Sequence, residues 1–378
     1  MSDSFIKTKN IDLDKKMNIN NLDFVGFVIS GWHLNVLYSY LNANKDIFSD
    51  GLIVINPQSD INDMTKFRIK KEHIKNIKDI KIRYIMMQNN FKEKNKIKYL
   101  FTLKNLICKN KKNKKPLTIF STNNINISLF KHFEKKTKPR NFRFVIIDEG
   151  TGTYVSKNTF LKSAGVKFFN RISKIVRSYL INIFMKVTNN SVQKYYLFSK
   201  ENNSLKINKK VSDNLKKLFH EYRIPTLNKI NKNQIFIIKD FIKKNDKIDE
   251  LYISIIKKIL EVSNKEIYIK KHPNDTNKIL ENFFATNKRV KIINSKYDAE
   301  DLYLKYEPDL IIGGSSTALL TISSIFNIEV VNISNLYLND YFEVNNNYID
   351  RIKLFEKYML NNDKILYLNN IDKLKNFI

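Results

Sequence analysis

Cysteine is almost missing: Cys108 stands alone among 378 residues, which excludes an intramolecular disulfide and any cysteine metal cluster. A single thiol suits a reducing compartment and core packing. Glycine is scarce too, eight in the chain, so two of them within one short segment, Gly150 and Gly152, mark a place where the backbone must turn sharply. No apolar run approaches the ~18 to 20 residues of a membrane span, and the leading MSDSFIKTKNIDLDKK has no apolar signal region. Neither secretion nor membrane spanning is expected. The sequence has no GxxxxGK[ST], no nucleophile elbow and no His/Asp/Glu set at metal-ligand spacing, which argues against P-loop, serine-hydrolase and metal chemistry. Acids are in deficit: 37 Asp+Glu against 67 Lys+Arg leave a net charge of +30. Part of that excess follows the abundance of Lys, Asn and Ile expected of AT-rich coding. The rest points to a polyanionic partner: nucleic acid, an anionic membrane or an acidic polysaccharide. The 26 Phe and 19 Tyr fall mostly on core positions rather than in a stacking platform, so nucleic acid is not the expected partner.

With 43% apolar residues the chain can bury two cores, and its length fits two domains. After a polar lead, short apolar runs rich in β-branched and aromatic residues alternate with helical patterns: Phe24 to Ser30, Gly51 to Pro57, Ile80 to Gln88, Leu117 to Thr122 and Phe142 to Ile147. The rhythm resumes at Gln234 to Lys239, Glu266 to Lys270, Val290 to Asn294, Asp309 to Ile312 and Glu329 to Ile333, with helical patterns at 248–262, 276–285, 299–306 and 317–326. Continuously apolar runs of this kind are strands buried on both faces of a parallel sheet. The stretch Glu201 to Asn233 is dense in Lys and Asn, contains Pro225 and loses the rhythm, so it reads as a linker. The expectation is an α/β chain of two Rossmann-like domains facing a cleft, 1–230 and 231–378, with ligands beyond the carboxyl ends of the strands.

Residues 160–187 break the pattern. Phe168, Ile172, Ile175, Tyr179, Ile183 and Val187 recur at helical spacing against Lys162, Lys167, Arg171, Lys174, Arg177 and Lys186. Such a basic amphipathic helix either lies in an anionic lipid interface or turns its apolar face to the core. The sequence leaves both open.

Three stretches at strand ends carry the chemistry. Asp148-Glu149-Gly150-Thr151-Gly152-Thr153-Tyr154 follows the run Phe142 to Ile147, so either carboxylate can serve as a general base or cap the next helix. Lys270-Lys271-His272-Pro273 follows Glu266 to Lys270; the proline biases His272 to extended backbone, where an imidazole flanked by lysines can bind or protonate a phosphate. Gly313-Gly314-Ser315-Ser316-Thr317 opens a helix, and its hydroxyls and free N–H groups suit an anion. His73, His132 and His220 lie in or beside helical patterns, while Gly31-Trp32-His33 follows the first strand and keeps His33 as a weaker site candidate.

In this order the three stretches resemble the motifs of the bacterial two-domain (GT-B) sialyltransferases and polysialyltransferases: an acidic pair before Gly, a His-Pro and a Ser-rich turn. The resemblance implies CMP-sialic acid as donor, held mainly by the C-terminal domain, and a glycan acceptor on the N-terminal one. Glu149 would be the base, with Asp148 its orienting neighbour, although which of the two takes the proton stays open. His272, Pro273, Lys271, Gly314, Ser315, Ser316 and Thr317 would hold the donor's phosphate or carboxylate. No cofactor and no metal is implied. It also implies an anionic acceptor, a capsular polysaccharide or lipooligosaccharide, and peripheral contact with the cytoplasmic face of a bacterial inner membrane. The glycerol- and ribitol-phosphate polymerases of teichoic acid synthesis look similar, sharing the His-Pro and the serine pair but using a CDP-alcohol. A non-catalytic polyanion-binding protein on the same fold is a third reading.

Overall fold

A computed structural model gives the fold; it describes residues 5–7, 22–55, 74–86, 116–122, 142–148, 150, 153–154, 168–170, 172, 175–176, 192–201, 204–222, 233–240, 247–272, 275–293, 298–339, 352–353, 356 and 362–378. Internal contacts divide the chain into two units, the first comprising Met1–Glu149 and Phe168–Leu197, the second Gly150–Lys167 and Phe198–Ile378.

The first unit holds β1 (Phe5–Lys7), β2 (Phe24–Val28), α1 (Gly31–Ala43), β3 (Asp50–Ile55), β4 (Lys81–Met86), β5 (Leu117–Ser121), β6 (Phe142–Ile147) and β7 (Val192–Tyr195). Its seven strands form one sheet in the order β1-β4-β3-β2-β5-β6-β7, every pair parallel. All five residues of β2 and of β5 are buried, as runs without alternation require. Phe24 lies edge-on to Phe48 (5.6 Å between centroids) and Phe120 (5.9 Å), and Tyr40 packs on Phe120 at 5.1 Å and Tyr195 at 5.0 Å. Gly51 is opposite Phe24 in the register, and a Cβ there would fall 2.0 Å from the ring, so glycine is what lets that ring lie across β3.

The second unit begins with the antiparallel pair β8 (Phe198–Glu201) and β9 (Ser204–Ile207), followed by α2 (Lys209–Glu221). Then come β10 (Gln234–Ile238), α3 (Lys247–Val262), β11 (Glu266–Lys270), α4 (Ile279–Phe283), β12 (Val290–Ile293), α5 (Ala299–Tyr306), β13 (Leu310–Gly313), α6 (Thr317–Phe326), β14 (Val330–Asn332), α7 (Ser334–Asn339), β15 (Ile365–Tyr367) and a 3-10 turn, Ile371–Asn376. Its sheet runs β12-β11-β10-β13-β14-β15, all parallel. Ile235, Ile237, Ile255, Ile259, Ile267, Ile269 and Ile312 are fully buried in its core.

Both sheets have the strand order of a dinucleotide-type Rossmann fold, β1 being an added edge strand in the first. The order reverses between β2 and β5 in one sheet and between β10 and β13 in the other, the points at which such sheets open to a ligand. This is the GT-B composition.

Residues 198–230, expected in the first domain, group by internal contacts with the second unit, as does Gly150–Lys167. The expected linker contains α2, capped by Asn208, whose side chain accepts the Val211 N–H at 3.3 Å. Val211, Leu215, Leu218 and Phe219 form a buried stripe on α2, and Phe219 meets Phe326 of α6 at 5.9 Å between centroids. Lys and Asn on the outer face hid this period-3.6 stripe from a composition reading.

Candidate active site

In the second unit, β10 lies between β11 and β13, so the exits of these three strands are side by side. His272 follows β11 and is half-buried; its carbonyl accepts the Asp275 N–H at 2.9 Å. Pro273 lies outside the described residues.

Gly313 ends β13. A Cβ there would stand 3.3 Å from the Ile238 carbonyl oxygen and 3.4 Å from Leu319 Cδ1, a close approach that seats the β13 exit against β10. Gly314 is buried, while Ser315, Ser316 and Thr317 are half-buried. Ser316 caps α6 with Oγ accepting the Ala318 N–H at 3.3 Å, so the capping role holds for this hydroxyl. A hydroxyl that accepts keeps its own O–H to donate. The Ser315 N–H is taken by a carboxylate of the chain itself, Asp240 Oδ2 at 2.8 Å. Thr317 is the first residue of α6.

Asp240 and its neighbour Lys239 form the exit of β10, and neither was singled out in the sequence. Lys239 closes an apolar run level with Lys271 in the paired strand, a place that reads in the sequence as the first solvated residue. Lys239 Nζ lies 2.6 Å from Asp275 Oδ2 and 3.0 Å from Asp249 Oδ1, all three side chains within 4% exposure. Asn277 joins the cluster, its Nδ2 donating to Asp249 Oδ2 and its N–H to Asp275 Oδ1, each at 3.0 Å. Burial pushes the Asp249 carboxyl above the ordinary carboxylate range, against the pull of the Lys239 ammonium. The Asp240 N–H donates to the Tyr252 hydroxyl at 3.1 Å.

Lys271, expected to face a phosphate, is buried instead in the loop after β11. Its ammonium lies 2.6 Å from Glu281 Oε1 and donates to the Asn277 carbonyl, so its charge is matched within the chain. The cause is local: a lysine leaving a buried strand needs a partner, and α4 presents Glu281 in its first turn.

In the first unit, Asp148 follows β6 and is 1% exposed; its Oδ2 accepts the Leu197 N–H at 2.9 Å. That bond ties the end of β6 to the chain leaving β7, a holding role for the carboxylate. Glu149 lies outside the described residues. Gly150, which groups with the second unit, has φ 89°, a left-handed backbone that favours glycine, and its carbonyl accepts the Thr153 N–H at 3.0 Å. The Tyr154 hydroxyl of the same stretch accepts the Phe198 N–H at 2.9 Å. His33 lies in the first turn of α1, buried, with Nδ1 accepting the Ile29 N–H at 3.3 Å. His220 lies in the last turn of α2, and His73, His132 and Cys108 fall outside the described residues.

Of the basic segment 160–187, only residues 168–170, 172, 175 and 176 are described, all helical. Of the expected apolar stripe, Phe168 and Ile172 are 59% and 43% exposed and Ile175 is half-buried; Phe169 and Val176 beside it are 83% and 49% exposed. Among the described residues, no helix is long and apolar enough to cross a membrane, and no three His, Cys, Asp or Glu side chains gather as metal ligands would.

Comparison with known proteins adds to this geometry. A UDP-N-acetylglucosamine 2-epimerase structure from Listeria monocytogenes matches 94% of this chain and 86% of its own at TM-score 0.54 and 9% identity. The corresponding structure from Methanocaldococcus jannaschii matches 94% and 90% at TM-score 0.50 and 13% identity. Both likenesses are of fold alone. The GT-B domain of a sialyltransferase from Photobacterium damselae matches 91% of this chain and 99% of its own, with TM-score 0.46 and 12% identity. No curated protein matches the sequence. The family model of the alpha-2,8-polysialyltransferases matches residues 25–334, from β2 through the β14 exit, and so takes in all three strand-end stretches. This glycosyltransferase chain belongs to the alpha-2,8-polysialyltransferase family.

Proposed function

We propose that the chain transfers sialic acid from CMP-sialic acid to a hydroxyl of an anionic glycan, extending a capsular or lipooligosaccharide chain with inversion at the anomeric carbon. The observation that carries this reading is the family match over residues 25–334. It is supported by the second sheet, whose adjacent exits supply an imidazole and a helix N-terminus on either side of β10. The acceptor oxygen bonds to the anomeric carbon as that carbon's bond to the phosphate oxygen breaks. The hydroxyl proton passes to Glu149, a transfer worth about 10² to 10⁴ in rate. Asp148 holds the neighbouring backbone and is not the base in this reading. CMP leaves with its phosphate charge met by the His272 imidazole and by the donors of Gly314, Ser315, Ser316 and Thr317, so no metal is called for.

Thermal-shift titration with CMP, CMP-sialic acid and CDP-glycerol, followed by product mass on a panel of glycan acceptors, tests the reading. Stabilisation by CMP and CMP-sialic acid and a sialylated product are expected. Stabilisation by CDP-glycerol alone would assign the chain to the phosphopolymer reaction, and binding of any polyanion without turnover would make it a binding protein. Glu149→Gln is expected to keep CMP binding and lose nearly all transfer. His272→Ala is expected to weaken both.

The exposed Phe168, Phe169, Ile172 and Val176, set among Lys167, Arg171, Lys174 and Arg177, favour the lipid-facing alternative for this segment. An anionic bilayer would take the apolar side chains and draw the cations, placing the enzyme peripherally on the cytoplasmic face of the inner membrane. Charge reversal at Lys167, Arg171 and Lys174 is expected to release the protein from anionic vesicles in flotation; unchanged flotation would remove the segment from the membrane.

A further inference from the structure

The β10 exit connects both halves of the candidate site. Lys239 reaches toward β11, where its ammonium binds Asp275 at 2.6 Å; the Asp275 N–H in turn donates to the His272 carbonyl at 2.9 Å. Asp240, the next residue, reaches the other way and fixes the Ser315 N–H at 2.8 Å. This dipeptide, just past the last residue of β10, is therefore bonded to both neighbouring strand exits.

The Lys239 cluster joins three elements, the β10 exit, the first turn of α3 through Asp249 and the loop after β11 through Asp275, and so adds to the strand pairing and to the Tyr252 hydroxyl that already hold them. Asp275 is committed on both oxygens, Oδ2 to the ammonium and Oδ1 to the Asn277 N–H at 3.0 Å. With so little freedom at Asp275, the backbone of His272 three residues earlier is fixed relative to β10, and through Asp240 relative to the start of α6. Lys239 and its partners make no claim on the reacting atoms. Their effect is exerted through His272 and Ser315.

We propose that Lys239, acting through Asp275, is a positioning residue for the donor site: it sets His272 at a fixed spacing from Ser315–Thr317, so that one phosphate or carboxylate meets both. This rests on the donor reading given under Proposed function. A misplacement of about 1 Å of a group that must meet a transition state can reduce rate about a hundredfold, so a clamp one residue removed from the site has kinetic weight.

Lys239→Met leaves Asp249 and Asp275 facing each other in a buried site and is expected to fold poorly. Asp275→Asn carries the test, because the amide keeps the shape and an acceptor while losing the charge that holds the ammonium. In the full chain, this variant is expected to fold, with faster amide hydrogen exchange over residues 272–278. Its kcat/KM for CMP-sialic acid is expected to fall about tenfold to a hundredfold. KM for the acceptor should be unchanged, and CMP should bind more weakly by calorimetry. Lys258→Met, which removes a surface pair with Asp372, is the control and is expected to match wild type. A purely structural role would lower the melting temperature and leave the kinetics of the folded protein unaltered. Unaltered donor kinetics in Asp275→Asn beside an active wild type overturns the positioning role alone, as does unchanged exchange at residues 272–278. A wild type that neither binds CMP nor transfers from CMP-sialic acid sinks the donor reading, and this inference with it.

Discussion

Glu300 offers the sharpest test of the physical reading of the second unit. It sits in the first turn of α5, 5% exposed, and accepts a hydrogen bond from the Thr321 hydroxyl of α6. Burial, and after it the negative charge of Asp298, pushes its carboxyl from the ordinary 4.5 up to about 7. In the unfolded chain the group ionises at its ordinary value. Between these two pH values the folded state therefore holds a proton that the unfolded state has released, and stability falls as pH rises through that window. The slope is about 1.4 kcal/mol per pH unit, and the loss levels off above pH 7 at about 3 kcal/mol. Glu300→Gln keeps the shape and an oxygen that accepts from Thr321, while removing the ionisation. The variant and wild type are expected to match near pH 4.5, diverge as pH rises, and differ by about 3 kcal/mol near pH 8 in favour of the variant. Urea unfolding of both proteins across this range measures it. Burial also raises Asp249 and Glu356, which tilt both proteins alike and cancel in the difference. Parallel stability curves, or a variant less stable than wild type near pH 8, would mean that Glu300 is not held protonated by the fold.

Two further substitutions test the first unit. Gly51→Ala brings a Cβ to 2.0 Å from the Phe24 ring, which is fully buried and has Phe48 and Phe120 beside it. It should lower unfolding stability by about 1 to 3 kcal/mol or more, seen as a drop in the urea midpoint, and an unchanged midpoint would mean that the ring has room. Asp148→Ala leaves the buried Leu197 N–H without its carboxylate and should destabilise by about 1 to 3 kcal/mol, whereas Asp148→Asn keeps an acceptor oxygen and should stay close to wild type in stability and transfer. Transfer lost in Asp148→Asn but retained in Glu149→Gln would make Asp148 the base.

Much of the fold was legible because parallel strands are buried on both faces, so their sequences carry no polar alternation to confuse them with a surface. The runs Phe142 to Ile147 and Glu266 to Lys270 coincide with β6 and β11, and the helical patterns 299–306 and 317–326 with α5 and α6. What was missed lacks that signal. β1 is a three-residue edge strand in a polar lead, and β7, Val-Gln-Lys-Tyr, has two exposed polar residues among its four. α2 was missed because its buried stripe is sparse among lysines.

The site divides along the same line. Turns that need a particular backbone announce themselves: Gly150 with its left-handed φ, and Gly313 at its close approach to Ile238. Buried charges do not. A lysine at the end of an apolar run reads as the first solvated residue after a strand, and nothing near Lys239 in the sequence reveals that its partners are Asp249 and Asp275, ten and thirty-six positions further on. Such a cluster exists only once β10 and β11 are paired, which brings the Lys239 N–H to the Lys270 carbonyl at 2.9 Å and sets both strand exits level. The dependence also runs backwards. Because an unpaired buried ammonium is far costlier than a paired one, any pairing of β10 that left Lys239 without its two carboxylates would be disfavoured. The cluster that the sequence conceals thus selects the strand register that the apolar runs alone leave loose, and with it the spacing between His272 and Ser315.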